Sequence, residues 1–142
     1  MKAKLNIIEL SQDDLVELLS SSLYDSYWAS ANYDSIEYKQ LPNAEENDCL
    51  EDKCAKLLLA GKTIEIADRE SFNDYYGSLP HKWDEEEKTM NYTISLKDIK
   101  RGINKCFKTN PKAVINLIEQ EEDFYDADSI LQTIVFGKAI YG

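Results

Sequence analysis

Apolar residues recur along this chain at two periods, and the changes of period mark its elements. Leu5 to Leu10 is short and rich in isoleucine and leucine, which predicts a strand. Ser11 followed by Asp14 has the spacing of a capping box. Leu15, Leu18, Leu19, Ser22 and Leu23 then fall on one helical face, which is expected to run on to Tyr27 and Trp28. Over 34–41, Ile36 and Tyr38 alternate with Glu37 and Lys39, predicting a second strand that Pro42 and Asn43 break. Residues 44–60 read as a helix with Asn43 at its cap, and Leu50, Cys54, Leu57 and Leu58 form its buried stripe. Gly61 stands where a helix ends in a left-handed residue. Ile64 and Ile66 face inward on a strand over 62–67. Met90, Tyr92 and Ile94 define another strand, expected to pair antiparallel with 62–67 across a long connection at 68–87.

Ser95 and Asp98 make a second capping box, ahead of the face Leu96, Ile99, Ile103, Cys106 and Phe107. Gly102 falls inside that helix, where it costs about 1 kcal/mol against alanine, so another backbone is expected to approach closely there. Asn110 and Pro111 open a short helix carrying Val114, Ile115, Leu117 and Ile118. The last segment holds Ile130, Leu131, Ile134, Val135, Phe136 and Ile140 with almost no polar face. A helix apolar nearly all round must be covered on most sides, so the chain is expected to wrap it. Asp126 or Asp128 is placed to cap it, Gln132 to serve as a buried hydrogen bonder, and Gly137 to allow close packing. The pattern predicts an α+β fold over 1–142 as a single domain. In it, a small antiparallel sheet of three to four strands is packed by four to five helices, and the C-terminal helix is buried.

Composition adds charge to this picture. The 27 acids outnumber the 16 bases, for a net of -11. Such a chain is repelled by phosphate backbones and anionic membranes, which argues against direct binding to either. The excess is uneven: residues 43–87 hold thirteen acids and five bases, whereas 88–112 hold one acid and seven bases. No apolar run is long enough to span a bilayer, and the first residues do not have the form of a signal peptide, so a cytoplasmic location is expected. Cys49, Cys54 and Cys106 have no ligand or disulfide spacing and read as buried or half-buried free thiols. His81 is the single histidine. No phosphate loop, nucleophile elbow or zinc-protease motif is present, and Asp123, Asp126 and Asp128 lack the glycine and the twelfth-position acid of a calcium loop. No catalytic set, metal site or cofactor is therefore expected.

Tyr27 to Ala29, Tyr92 to Gly102 and Asp126 to Gly142 together resemble a family of small acidic proteins. Phages and integrated mobile elements of Gram-positive bacteria encode that family, whose members end in a similar Asp-Ala-Asp, Gln, Phe-Gly, Tyr-Gly pattern. The resemblance implies an accessory gene of a mobile element, a common setting for counter-defence proteins. The resulting expectation is a non-catalytic protein that binds a host protein with a basic surface, as an anti-CRISPR or anti-restriction inhibitor whose acids mimic nucleic acid. Its contact residues are expected among the acids Glu45, Glu46, Asp48, Glu51 and Asp52, the run Asp84, Glu85, Glu86 and Glu87, and Glu121, Glu122 and Asp123. Tyr27, Trp28 and Trp83 are the expected aromatic contacts. The alternative is a small-ligand binder that sequesters a nucleotide signal, stacking the base on Trp28 or Trp83 and meeting phosphates with Lys97, Lys100, Arg101 and Lys105.

Overall fold

A computed structural model describes residues 9–70 and 77–141. Of the expected strand at Leu5 to Leu10, residues 5–8 lie outside the described residues, and Glu9 and Leu10 are not in a strand. Four strands form one antiparallel sheet: β1 (Ala29–Asn32), β2 (Ile64–Asp68), β3 (His81–Asp84) and β4 (Thr89–Ile94), in the order β1-β2-β4-β3. Six helices accompany it among the described residues: α1 (Gln12–Leu23), α2 (Ser35–Lys39), α3 (Leu50–Leu59), α4 (Leu96–Thr109), α5 (Pro111–Ile118) and α6 (Phe124–Phe136). The class is α+β, with more helices than the four to five expected.

The pairing of β2 with β4 follows the alternation, and sets Ile64 opposite Ile94 and Ile66 opposite Tyr92. The α1 and α4 capping boxes form as their spacing requires, on Ser11 with Asp14 and on Ser95 with Asp98. α6 packs against α1, α4 and α5, and nine of its thirteen residues are buried. Each large apolar side chain removed from water there contributes about 1.5–3 kcal/mol. Its cap is neither Asp126 nor Asp128. Asp123 accepts from the Asp126 backbone N–H, and Asp126 returns the bond, so the helix starts earlier than expected. Gly137 ends it in the left-handed region, at φ 84°, and serves as a cap instead of a packing site. Gly102 does mark a close crossing: a Cβ there would sit 2.5 Å from Ile134 Cγ1 and 2.6 Å from its Cα.

Four element assignments are also corrected. First, α1 stops at Leu23, since Tyr24 is extended and Asp25 takes φ 56°. The Tyr27 and Trp28 segment then leads into β1, whose Ala-Ser-Ala-Asn sequence carries no β-branched residue to announce a strand. Second, 34–41 is not a strand. Asp34 Oδ1 accepts from the Ile36 and Glu37 amides and caps α2. Residues two apart then point to opposite sides, so Tyr38 is buried while Ile36 is 70% exposed. Third, α3 begins at Leu50 and not at Ala44. Lys56 Nζ reaches back to the Asn43 carbonyl (2.8 Å) and Asp48 (2.6 Å), and the Tyr38 hydroxyl donates to Asp48, folding 43–49 into turns. These contacts hold the Asp48 carboxyl below the ordinary carboxylate range and raise the Lys56 ammonium. Fourth, the long connection contains β3. Asp84 Oδ1 accepts from the Glu86 and Glu87 amides, and Lys88 at φ 58° turns the chain into β4.

Candidate functional site

Asp128, Gln132 and Tyr141 of the C-terminal segment build a polar network with Trp28 and Asp68. Asp128 accepts from Trp28 Nε1 and from Gln132 Nε2, both at 2.7 Å. Gln132 Oε1 then accepts from the Ile140 (2.7 Å) and Tyr141 (2.8 Å) amides, strapping the segment after α6 back onto the helix. The Tyr141 hydroxyl donates to Asp68 at the end of β2 (2.8 Å). Burial first, then the Asp68 carboxylate, raises the Tyr141 hydroxyl above its ordinary pKa, which keeps it a donor. Its ring packs against Phe136 and Trp28 at centroid separations of 5.7 and 5.5 Å. Trp28 is fully buried, so it is no contact residue, contrary to expectation.

The expected acidic contact residues fall in three separate stretches, at 45–52, 84–87 and 121–123, and many have inward duties. Asp48 is tied to Lys56 and Tyr38, and Asp52 accepts from the Cys49 thiol. Cys49 itself is exposed, unlike Cys54 and Cys106, and burial pushes the Cys54 thiol up to about 12. Glu85 accepts from Trp83 Nε1 and pairs with Lys88, leaving Trp83 half-buried on the edge strand. Asp84 and Asp123 hold their turns. Glu45, Glu46, Glu86, Glu87 and Glu121 are exposed, and their side chains make no hydrogen bond or ion pair among the described residues. Glu51 is half-buried on the first turn of α3. Tyr27 is half exposed and meets Tyr141 edge-on. His81 is exposed at the start of β3, its ring beside Tyr92.

One concave feature brings expected and unexpected residues together. A groove of about 540 Å³ separates the C-terminal end of α1 from the N-terminal end of α6. Tyr24, Phe124, Asp25, Glu122 and Asp123 line it with Ser20 and Ser21. Tyr24 and Tyr125 are 77% and 78% exposed. Tyr24, Asp25 and Phe124 were not among the expected contact residues. The available signal was an aromatic pair directly after the acidic run 119–123.

Beneath the groove, Glu122 Oε2 accepts from Ser21 Oγ at 2.8 Å, whereas Oε1 is buried and no fixed N–H or O–H of the described residues reaches it. The Glu17 carboxyl bonds Glu122 and is raised, first by that bond, then by burial and by repulsion from Glu122. Glu17 can supply a donor to Glu122 only in its protonated form. A raised carboxyl stabilises the fold below the ordinary glutamate range, and the contribution is lost as pH rises through the raised value. Glu17→Gln, which fixes a donor there, is expected to raise the thermal midpoint at neutral pH and leave it nearly unchanged near pH ~4. Equal shifts at both pH values in thermal melts would contradict the shared proton.

No family model, curated protein or solved structure matches the chain. No helix among the described residues is long and apolar enough to cross a membrane. No group of three or more described His, Cys, Asp or Glu residues is arranged to hold a metal ion.

Proposed function

We propose that this is a non-catalytic protein that docks its acidic exterior on a basic surface of a host protein, acting as an inhibitor of a nucleic-acid-handling defence enzyme. The observation that carries this reading is the state of its carboxylates. Ion pairs among the described residues engage four of them, on Asp48, Glu37, Glu85 and Asp98. Glu45, Glu46, Glu86, Glu87 and Glu121 stay exposed on turns, where a basic partner can reach them. The resemblance to mobile-element proteins supports the same reading. The nucleotide alternative has weaker support. Arg101 and Lys105 line a cleft of about 210 Å³, smaller than ordinary ligand pockets, and neither Trp28 nor Trp83 lines it.

The test is capture of host proteins by the wild-type chain and by a variant with those five glutamates changed to glutamine. The wild type is expected to retain nucleic-acid-handling proteins that added DNA or salt displaces. The variant is expected to retain far less. Identical captures by the two would end the acidic docking reading.

A further inference from the structure

We propose that the outer edge of β1 receives an extended, basic segment of the partner as a fifth strand. This inference rests on the acidic docking reading and gives it a place. β1 and β3 are the two edges of the sheet. β3 carries Lys82 and Asp84, and charges of this kind blunt an edge. β1, Ala-Ser-Ala-Asn, has neither charge nor proline. The bond from the Arg69 amide to the Trp28 carbonyl sets the alternation along β1. Ser30 and Asn32 therefore turn their backbone groups to β2, and Ala31 turns its N–H and C=O away from the sheet. No described residue outside the sheet bonds either group. Ala31 is 7% exposed, and a backbone group so little hydrated is costly to leave unpaired.

The space for a strand is present. A groove of about 480 Å³ lies beside β1, and residues from both faces of the strand, Ala29 and Ala31 from one and Ser30 from the other, line it. Leu23 of α1 and Leu50 of α3 give it apolar wall for alternate side chains of an added strand. Charge selects the occupant. Asp25 and Glu51 line the groove with a single base, Arg69, whose guanidinium already donates to the Ser26 carbonyl. At the other end of β1, a second groove of about 420 Å³ is lined by Asp34, Glu37 and Glu65 and by no base. A strand with lysine or arginine at alternate positions thus meets carboxylates at both ends of β1. A second copy of this chain fits less well, because it brings the same acids to the same edge and a net charge of -11.

Titration of the isotopically labelled protein with an octapeptide of alternating lysine and valine, read by amide hydrogen exchange and chemical shifts, tests the assignment. At saturation the Ala31 amide is expected to exchange about tenfold more slowly, as one new backbone bond requires. The amides of Ser30 and Asn32, which already face β2, are expected to change little. Asp25→Asn combined with Glu51→Gln leaves the backbone of β1 as it is and is expected to weaken binding about threefold. A peptide of alternating glutamate and valine at the same salt is expected to bind about tenfold more weakly, and equal binding would overturn the basic occupant. An Ala31 amide protected before any peptide is added, by a second copy or by another part of this chain, would overturn it too. Shifts centred on 84–87 or 121–123, with Ala31 exchange unchanged, would remove the edge and leave the acidic docking reading standing. No binding anywhere would overturn both.

Discussion

Gly102→Ala is expected to lower the free energy of unfolding by about 2–3 kcal/mol, as overpacking in a dense core does. Alanine gains about 1 kcal/mol in helix propensity over glycine, so the steric loss has to exceed that gain. It does, because the new methyl would lie 2.6 Å from the Cα of Ile134 as well as 2.5 Å from its Cγ1. A side-chain clash can be relieved by a new rotamer; a clash with backbone moves the helix. α4 and α6 would have to separate, which disturbs Ile99, Ile103 and Cys106 on one side and Ile130 and Ile134 on the other. Ile134→Ala in the same chain removes only the Cγ1 contact, so it is expected not to restore stability. Denaturant titrations of the single and double variants check this. A neutral or stabilising Gly102→Ala would mean that the helices do not cross so closely.

The second large effect is expected at Asp128, which is 8% exposed. Asp128→Ala strands the indole N–H of Trp28 and one N–H of the Gln132 amide, whose nitrogen keeps only a long bond to the Tyr141 carbonyl, each at about 1–3 kcal/mol for a buried donor left unpaired. The loss is expected to total about 2–5 kcal/mol. Asp128→Asn is expected to be almost as damaging. One of its groups must be an NH2, which then faces either Trp28 Nε1 or Gln132 Nε2, donor against donor. Gln132 cannot flip to oblige, because its oxygen already accepts from the Ile140 and Tyr141 amides. Equilibrium unfolding followed by tryptophan fluorescence reads the loss. Tyr141→Phe combined with Asp128→Ala is expected to be less than additive, because one network holds both residues. Full additivity would separate the strap from the helix.

What was legible in the sequence was what periodicity and capping chemistry encode. Both serine boxes, the β2 and β4 alternation, the close approach at Gly102 and the buried final helix are written in residue spacing. β1 was hidden because its Ala-Ser-Ala-Asn residues take their conformation from pairing with β2, a tertiary effect that local preference does not carry. The 34–41 segment misled because alternation over so few residues looks the same whether the far side is solvent or core, and Asp34 decided the matter as a cap. The start of α3 was masked by Lys56, whose reach back to Asn43 and Asp48 is visible only in three dimensions. The acid runs were plain to see, but not the division of their members between holding turns and facing outward. The groove was the least legible feature. It joins Tyr24 to Phe124 across a hundred residues of chain, and no sequence spacing relates the two.

The bond between Trp28 and Asp128 spans 100 positions, and α6 enters the interior after every strand has been made. During synthesis on the ribosome, α1 therefore meets α3 first, and the part of its leucine face that α6 covers stays open until about a hundred further residues have been made. Pairing across such a separation is slow to form. The nascent chain would spend that interval in need of a chaperone, and a stalled or prematurely terminated copy would be a ready substrate for cellular proteases.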